Sequence, residues 1–530
     1  MNDKSKQTIE KLNGVFYTPI EIVTFLSKWA SENQQRIKVL EPSAGEGRFV
    51  KEIIKYNNKA EVTAVEIDSL ECEKIKDINR ACVINDDFYN FYEKSKDVSE
   101  KYDVVIGNPP YIRYQFLSEE QREYQSDILK RNGMKPNKLI NAWVAFTVAG
   151  IELCNSGGKF AFVLPTDLLQ VSYAKELRKY IFSKLHDITI INFSNIVFSG
   201  IQQDVVLLFG VKGNTNTKVN KLRNVYIDDL SQLTDKIHLI PFESYEFDES
   251  DKWRKFLLKK DFLKFYEKKF KDNTTSITDI CTTEVGITTG NNKVFVVDNQ
   301  TIFNYDLHCY KLPLVGRSLD VAGLFYTAND LKNNGLNGRK IWLLDFNKKR
   351  INEGAQKYLS EIEEMNEHKG YKLSLRERWY EVPSIWTPDA FLLRRIGKFP
   401  KIAKNEIGAT STDTFHRIRF NENIDCHKFL VLFYSSPNLL TFELEGRVFG
   451  GGALEILPGD LKNIRLPKIK DEIDFQEVSK ELDNKLRKNE NISSIVEWID
   501  TLIQPFSGFE KSEFESMYNI WGELRDSRVK

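Results

Sequence analysis

The chain has 530 residues, 41% of them hydrophobic and 29% charged, an ordinary balance for a soluble globular protein with room for two or three domains. Its 76 basic and 76 acidic residues cancel, so net charge excludes no class of partner, and any nucleic-acid site has to be sought where charge clusters. No apolar run approaches the roughly 18 residues of a membrane span, residues 1–11 lack a signal-peptide core, and the six cysteines form no CxxC pair, which suits a reducing cytoplasm.

In chain order, short apolar runs at 37–40, 62–66, 82–84, 104–106, 159–164, 188–193 and 205–211 alternate with amphipathic stretches. This alternation predicts a mostly parallel α/β sheet. After the first run comes Glu41-Pro42-Ser43-Ala44-Gly45-Glu46-Gly47, a loop whose glycines let backbone approach a ligand closely. Val50 replaces the third glycine of a dinucleotide loop, and a plain strand–helix turn is the competing reading. Glu66 and Ile67 end the second run; Glu66 suits two ribose hydroxyls or, more simply, a solvated strand end. Asp87-Phe88 follows the third run, where Asp87 suits an adenine amine with Phe88 against the ring, or a helix N-cap. Ligands in such sheets sit at the carboxyl ends of strands, so Glu41, Glu66, Asp87 and Asn108 are expected on one rim.

The fourth run ends in Asn108-Pro109-Pro110-Tyr111. The Asn108 amide oxygen and the Pro109 carbonyl form a pair of acceptors beside an aromatic face. Such a set can hold a planar exocyclic amine and direct its lone pair at a methyl donor, with positioning and electrostatics as the source of rate. The chain has no Pro-Cys pair of the kind used to attack cytosine C5.

Beyond residue 245 the pattern is looser. Gly286 to Asn292 is a turn signal before a strand predicted at 294–297, and Phe449 to Pro458 reads as a tight turn entering a strand. Between residues 392 and 420 stand seven basic residues, Arg394, Arg395, Lys398, Lys401, Lys404, Arg417 and Arg419, against Glu406 and Asp413. They read as a phosphate-binding stripe or as a solvated face. Helical spacing of Phe475, Val478, Leu482 and Leu486, and of Ile495, Val496, Ile499, Leu502 and Ile503, predicts helices in the tail that pack on the preceding domain or meet a partner. The pairs His308-Cys309 and Cys426-His427 lack the four spaced ligands of a zinc site, so no metal is predicted.

In content and order these motifs resemble the gamma-class adenine-N6 DNA methyltransferases, the TaqI-like group of restriction-modification methylases. Tyr17-Thr18-Pro19 resembles the N-terminal cofactor motif, Glu41 to Gly47 the S-adenosylmethionine loop, and Glu66 and Asp87 the ribose and adenine contacts. Asn108 to Tyr111 resembles the catalytic motif, and Val197-Phe198-Ser199 the motif whose aromatic residue contacts the flipped base. The resemblance implies a Rossmann-like seven-stranded methyltransferase sheet with one antiparallel strand, followed by a mixed α+β target-recognition domain. It divides the chain into a methyltransferase domain at 1–245, a recognition domain at 246–470 and a helical segment at 471–530. It further implies S-adenosylmethionine as cofactor and an adenine rotated out of double-stranded DNA, held by Tyr111 and Phe198. A monomer on DNA, with a cognate restriction endonuclease acting separately, completes the expectation. A protein glutamine or ribosomal-RNA N-methyltransferase, and a DNA specificity module without catalysis, are the alternatives.

Overall fold

The computed structural model describes residues 18–32, 36–98, 101–138, 140–193, 205–213, 219–227, 229–246, 252–258, 260–347, 349–448, 452–470 and 473–529. The chain divides into two compact units, residues 1–257 and 258–530. Among the described residues no helix is long and apolar enough to cross a membrane.

The first unit is built on one sheet. All seven apolar runs are strands: β1 (Lys38–Glu41), β2 (Glu61–Glu66), β3 (Ala81–Asn85), β4 (Tyr102–Gly107), β5 (Cys154–Pro165), β6 (Leu185–Phe193) and β7 (Val205–Lys212). The sheet has nine strands rather than seven, because β8 (Val219–Ile227) and β9 (Glu243–Glu246) extend it past β6. Charged and polar residues such as Lys221, Arg223 and Glu243 interrupt their apolar runs, so these two strands escape a search for continuous ones.

The strand order is β3-β2-β1-β4-β5-β7-β6-β8-β9. Strands β1 to β5 pair in parallel, and β7 is antiparallel to both β5 and β6. The chain steps from β1 outward to β3, then crosses back to β4 on the other side of β1. This reversal opens a crevice at the carboxyl ends of β1 and β4, the usual ligand position in an open α/β sheet.

Helices that flank the strands include α1 (Ile20–Ser31), α2 (Arg48–Tyr56), α3 (Ser69–Ile75), α4 (Phe88–Ser95), α5 (Glu119–Arg131) and α6 (Ala142–Leu153). Alternation along the strands divides the core. Val104, Ile106, Ala161 and Val163 pack with Ile22, Phe25 and Leu26 of α1 and Val50 and Ile53 of α2. Val105, Phe160 and Phe162 point the other way, to Gly150 of α6. That helix is buried on every side except at Glu152, which fits its uniformly apolar sequence. Val104, Val105 and Ile106 are fully buried, and each such side chain contributes about 1.5–3 kcal/mol.

The second unit is mixed α+β. A five-stranded sheet of β10 (Cys281–Val285), β11 (Phe325–Tyr326), β12 (Ala390–Leu393), β13 (Ile402–Asn405) and β14 (Phe415–Phe420) has the order β10-β14-β12-β13-β11. Smaller sheets and the helices α7 (Ser436–Glu445), α8 (Phe475–Arg487), α9 (Ile492–Ile503) and α10 (Lys511–Val529) surround it. The strand expected at 294–297 is shorter: the Asn291 side chain caps a helical turn over Asn292–Phe295, leaving Val296–Val297 extended.

The tail helices pack within this unit. Asp483 on α8 accepts the N–H groups of Leu324 and Phe325 at 2.6 and 3.1 Å, and Arg487 meets Asp330 at 2.7 Å. Arg528 on α10 pairs with Glu443 at 2.7 Å, each side chain only 1% exposed, and also donates to the Gly397 carbonyl. A buried ion pair holds when its remaining hydrogen-bonding capacity is met in this way.

Candidate active site

A single cleft at the carboxyl ends of β1, β2, β3 and β4 gathers most of the motif residues. Its walls include Thr18, the loop from Glu41 to Glu46, Glu66, Ile67, Asp86, Asp87, Phe88, Asn108 and Pro110.

The loop after β1 is shaped by its glycines and by Glu66. Gly45 and Gly47 have φ of +51° and +73°, in the left-handed region open to glycine. The Gly45 N–H donates to Glu66 Oε2 at 2.7 Å, and the Asp68 N–H donates to Oε1 at 2.9 Å. Glu66 therefore ends β2 as a held carboxylate, not as a freely solvated group. Gly47 does not line the cleft. A Cβ on it would lie 2.4 Å from Ile75 Cγ2, so its role is to bring the start of α2 against α3.

Glu41 closes the floor. It is 2% exposed and accepts the Val50 N–H at 3.1 Å. Burial, followed by the nearby Glu66 charge, pushes its pKa well above the ordinary carboxylate value, against the Val50 hydrogen bond that lowers it. A cation arriving in the cleft would favour the ionised form.

Asp87 takes its N-cap placement and also faces the cleft. At the start of α4 its Oδ1 accepts the Tyr89 N–H at 2.7 Å. Its Oδ2 accepts from Gln121 Nε2 on α5 at 2.7 Å. Beside it, Asp86 is tied to Lys94 at 2.8 Å, whose hydrogen bond holds its carboxyl below the ordinary range. Phe88 lies in the apolar wall with Ile112, Leu117 and Phe146.

Asn108 stands directly after β4. The Ser43 hydroxyl donates to its backbone carbonyl at 3.0 Å, tying the loops after β1 and β4 together. Tyr111, expected flat against a target base, instead turns inward. Its hydroxyl lies 2.8 Å from Asn108 Oδ1 and 3.1 Å from the Val163 carbonyl, and its ring packs on the core beneath the sheet's end. A phenol hydroxyl removed from water requires acceptors, and these two satisfy it. Burial pushes the Tyr111 pKa well up, so it is a neutral donor that sets the direction of the Asn108 amide. Pro109 and Tyr111 do not line the cleft, and Pro19 stands at the N-cap of α1. Tyr17, Phe198 and the turn at 449–451 lie outside the described residues.

Several cleft residues carry no sequence signal. Phe146 belongs to a helix whose composition reads only as core, and Gln121 and Leu117 come from the segment after β4. Arg48 donates to the Thr18 carbonyl at 2.8 Å and pairs with Glu46, bracing the segment before α1 against the glycine loop.

In the second unit the seven basic residues disperse instead of forming one stripe. Arg394 and Arg395 converge on Glu455 at 2.9 and 3.3 Å. Lys398 and Lys401 line a separate pocket, where burial lowers the Lys401 pKa. Lys404 pairs with Glu406 at 2.8 Å. Arg417 is buried, donating to the Ser384 carbonyl at 2.7 Å, so it is not placed to meet a phosphate; Arg419 is exposed.

Residues 21–198 match the family model described as Eco57I restriction-modification methylase, and residues 250–504 match that of the C-terminal domain of the Type II methyltransferase M.Eco57I. The chain is 25% identical to the Type II methyltransferase M.AccI of Acinetobacter calcoaceticus over 475 residues, 84% of each chain. It is 31% identical to M.HincII of Haemophilus influenzae over 249 residues, 45% of each chain. The Type IIL restriction-modification enzyme MmeI, solved in complex with DNA, is similar over 100% of this chain and 76% of its own, at 12% identity and a TM-score of 0.48. The two family models together take in most of both units, and the chain belongs to the restriction-modification methylases.

Proposed function

We propose that this protein transfers a methyl group from S-adenosylmethionine to the N6 amine of an adenine rotated out of duplex DNA. It does so at a specific sequence, in the cytoplasm, as the modification partner of a separate restriction endonuclease. The observation that carries the reading is the convergence of Glu41, Glu66, Asp87 and Asn108, each from a different strand end, on one cleft.

The cleft fits the cofactor chemically. Four carboxylates, Glu41, Glu66, Asp86 and Asp87, line it, which suits a ligand bearing a sulfonium and an ammonium group. Glu66, fixed at the glycine loop, is the acceptor for ribose hydroxyls. Asp87, Phe88 and Phe146 offer an acidic edge and apolar faces to an adenine ring. Bound there, the cofactor supplies an electrophilic methyl group.

The chain's own task is to present the amine. Its lone pair is delocalised into the ring, so positioning decides the rate. Asn108 Oδ1 and the Pro109 carbonyl accept the two amine hydrogens, and the lone pair is directed at the methyl. Tyr111 holds the Asn108 amide in that direction, and Phe198 packs against the extruded base. Taking the base out of the stack costs a few kcal/mol, a cost that aromatic contact in the pocket offsets. Single-molecule sequencing of host DNA with and without this gene tests the reading. N6-methyladenine at one short motif is expected; unmodified DNA together with methylated RNA or protein would overturn it.

A further inference from the structure

A surface patch on the second unit joins three segments far apart in the chain. Strand β10 is the edge of the five-stranded sheet and pairs antiparallel with β14, with Thr282 opposite Arg419 and Glu284 opposite Arg417. With a two-residue period, these four side chains share one face. Trp386, from the loop before β12, lies beneath both guanidinium groups, 4.5 Å from Arg417 and 4.6 Å from Arg419 to the ring centroid. Its indole Nε1–H donates to Glu284 Oε2 at 3.0 Å.

The two arginines differ in what they have left to offer. Arg417 is spent internally, with a side chain 2% exposed, bound to the Ser384 carbonyl and 3.4 Å from Glu284. Arg419 is exposed, and among the described residues its guanidinium has no carboxylate partner and no hydrogen-bond acceptor. Its cation–π contact with Trp386 restrains the guanidinium, so less side-chain freedom remains to be lost on binding. Next to it, the Glu284 carboxylate is 61% exposed but anchored through one oxygen by Trp386 and Arg417. Thr282, Thr283, Glu284, Trp386 and Arg419 line a shallow pocket between them.

A fixed arginine beside a fixed carboxylate is a poor site for a phosphate, which the carboxylate repels. It matches the edge of a G·C pair, where guanine O6 and N7 accept and cytosine N4 donates. We propose that Arg419 and Glu284 read a G·C pair of the target site, Arg419 donating to guanine and Glu284 accepting from the cytosine amine. Trp386 and Arg417 are positioning residues. The inference rests on the DNA-methylating function proposed above.

The test is single-molecule sequencing of host DNA expressing the wild-type protein, Arg419→Ala, Arg419→Gln or Glu284→Gln. At one G·C position of the motif, the preference should fall by roughly 5- to 150-fold in Arg419→Ala, the range of one bidentate contact. Arg419→Gln should shift that same position toward adenine, and Glu284→Gln should relax it as well. An unchanged motif in all three variants would overturn the inference. So would a uniform loss across sequences with a shallower salt dependence, the mark of a phosphate contact. A wild-type protein that methylates no DNA would overturn the underlying function and this inference with it, and is told apart by the wild-type arm alone.

Discussion

Glu41 in the first unit and Asp500 in the second are both buried carboxylates whose pKa burial raises, yet they stand in opposite settings. Glu41 accepts the Val50 N–H and faces a cleft that a cationic ligand can enter. Asp500 accepts the Ser436 N–H at 2.9 Å between α7 and α9, and among the described residues its Oδ2 has no hydrogen-bond partner. A perturbed carboxyl group points to function only where a ligand can reach it; elsewhere it is a cost of packing.

The sharpest way to break this contrast is to remove Asp500. Its pKa is pushed from 3.8 to about 7, so between those values the folded chain holds a proton that the unfolded chain has lost. Stability contributed by this site therefore falls as pH rises from about 4 to about 7 and is flat above. Asp500→Asn, which does not titrate, should gain on the wild type across that window, by on the order of 4 kcal/mol at pH 8 and nothing at pH 4. Denaturant unfolding at the two pH values measures it, and equal differences at both would assign Asp500 no buried-charge cost.

On the cleft side, Asn108→Ala should lower methyl-transfer turnover about 10²–10³-fold, the scale of one preorganised hydrogen-bonding group. DNA affinity should hold, and the chain should stay folded because the Val163 carbonyl remains as an acceptor for the Tyr111 hydroxyl. Turnover near the wild-type rate would remove it from the mechanism.

Glu66→Ala should weaken S-adenosylmethionine binding by about 10- to 100-fold, the range for losing hydrogen bonds to a charged group. Calorimetry reads this directly, and an unchanged Kd would mean that the ribose is held elsewhere.

Glu41 sharpens the comparison through pH. Its ionised form favours the sulfonium of the cofactor over the neutral sulfide of the product. As pH falls through its raised pKa, that discrimination should fade, and Glu41→Gln should abolish the fading. Parallel titrations of cofactor and product against pH, carried above the ordinary carboxylate range, decide it. Smallest of all, Lys398→Ala should reduce the slope of log affinity against log salt by about 0.9 if Lys398 touches one phosphate. An identical slope would clear it of that contact.

What could be read in the sequence follows from how each site is assembled. Glu41, Glu66, Asp87 and Asn108 are scattered along the chain, but each follows an apolar run, and parallel topology brings strand ends to one rim. Strands β8 and β9 are not legible as apolar runs because charge breaks them. The motif predicts Tyr111 on a base because it shows an aromatic ring but not the acceptors, Asn108 Oδ1 and the Val163 carbonyl, that draw its hydroxyl inward. Phe146 is silent in sequence, since an apolar helix gives no sign of which side chain meets a cleft. The basic residues at 392–420 suggested one stripe, whereas Arg417 and Arg419 owe their arrangement to Trp386 and Glu284, partners across strands and loops.

The most direct test of the account is nucleoside analysis of duplex DNA incubated with the purified protein and methyl-labelled S-adenosylmethionine. The account predicts label in N6-methyladenine from the wild type and almost none from Asn108→Ala. Label in N4-methylcytosine, or equal labelling by the two proteins, would contradict it.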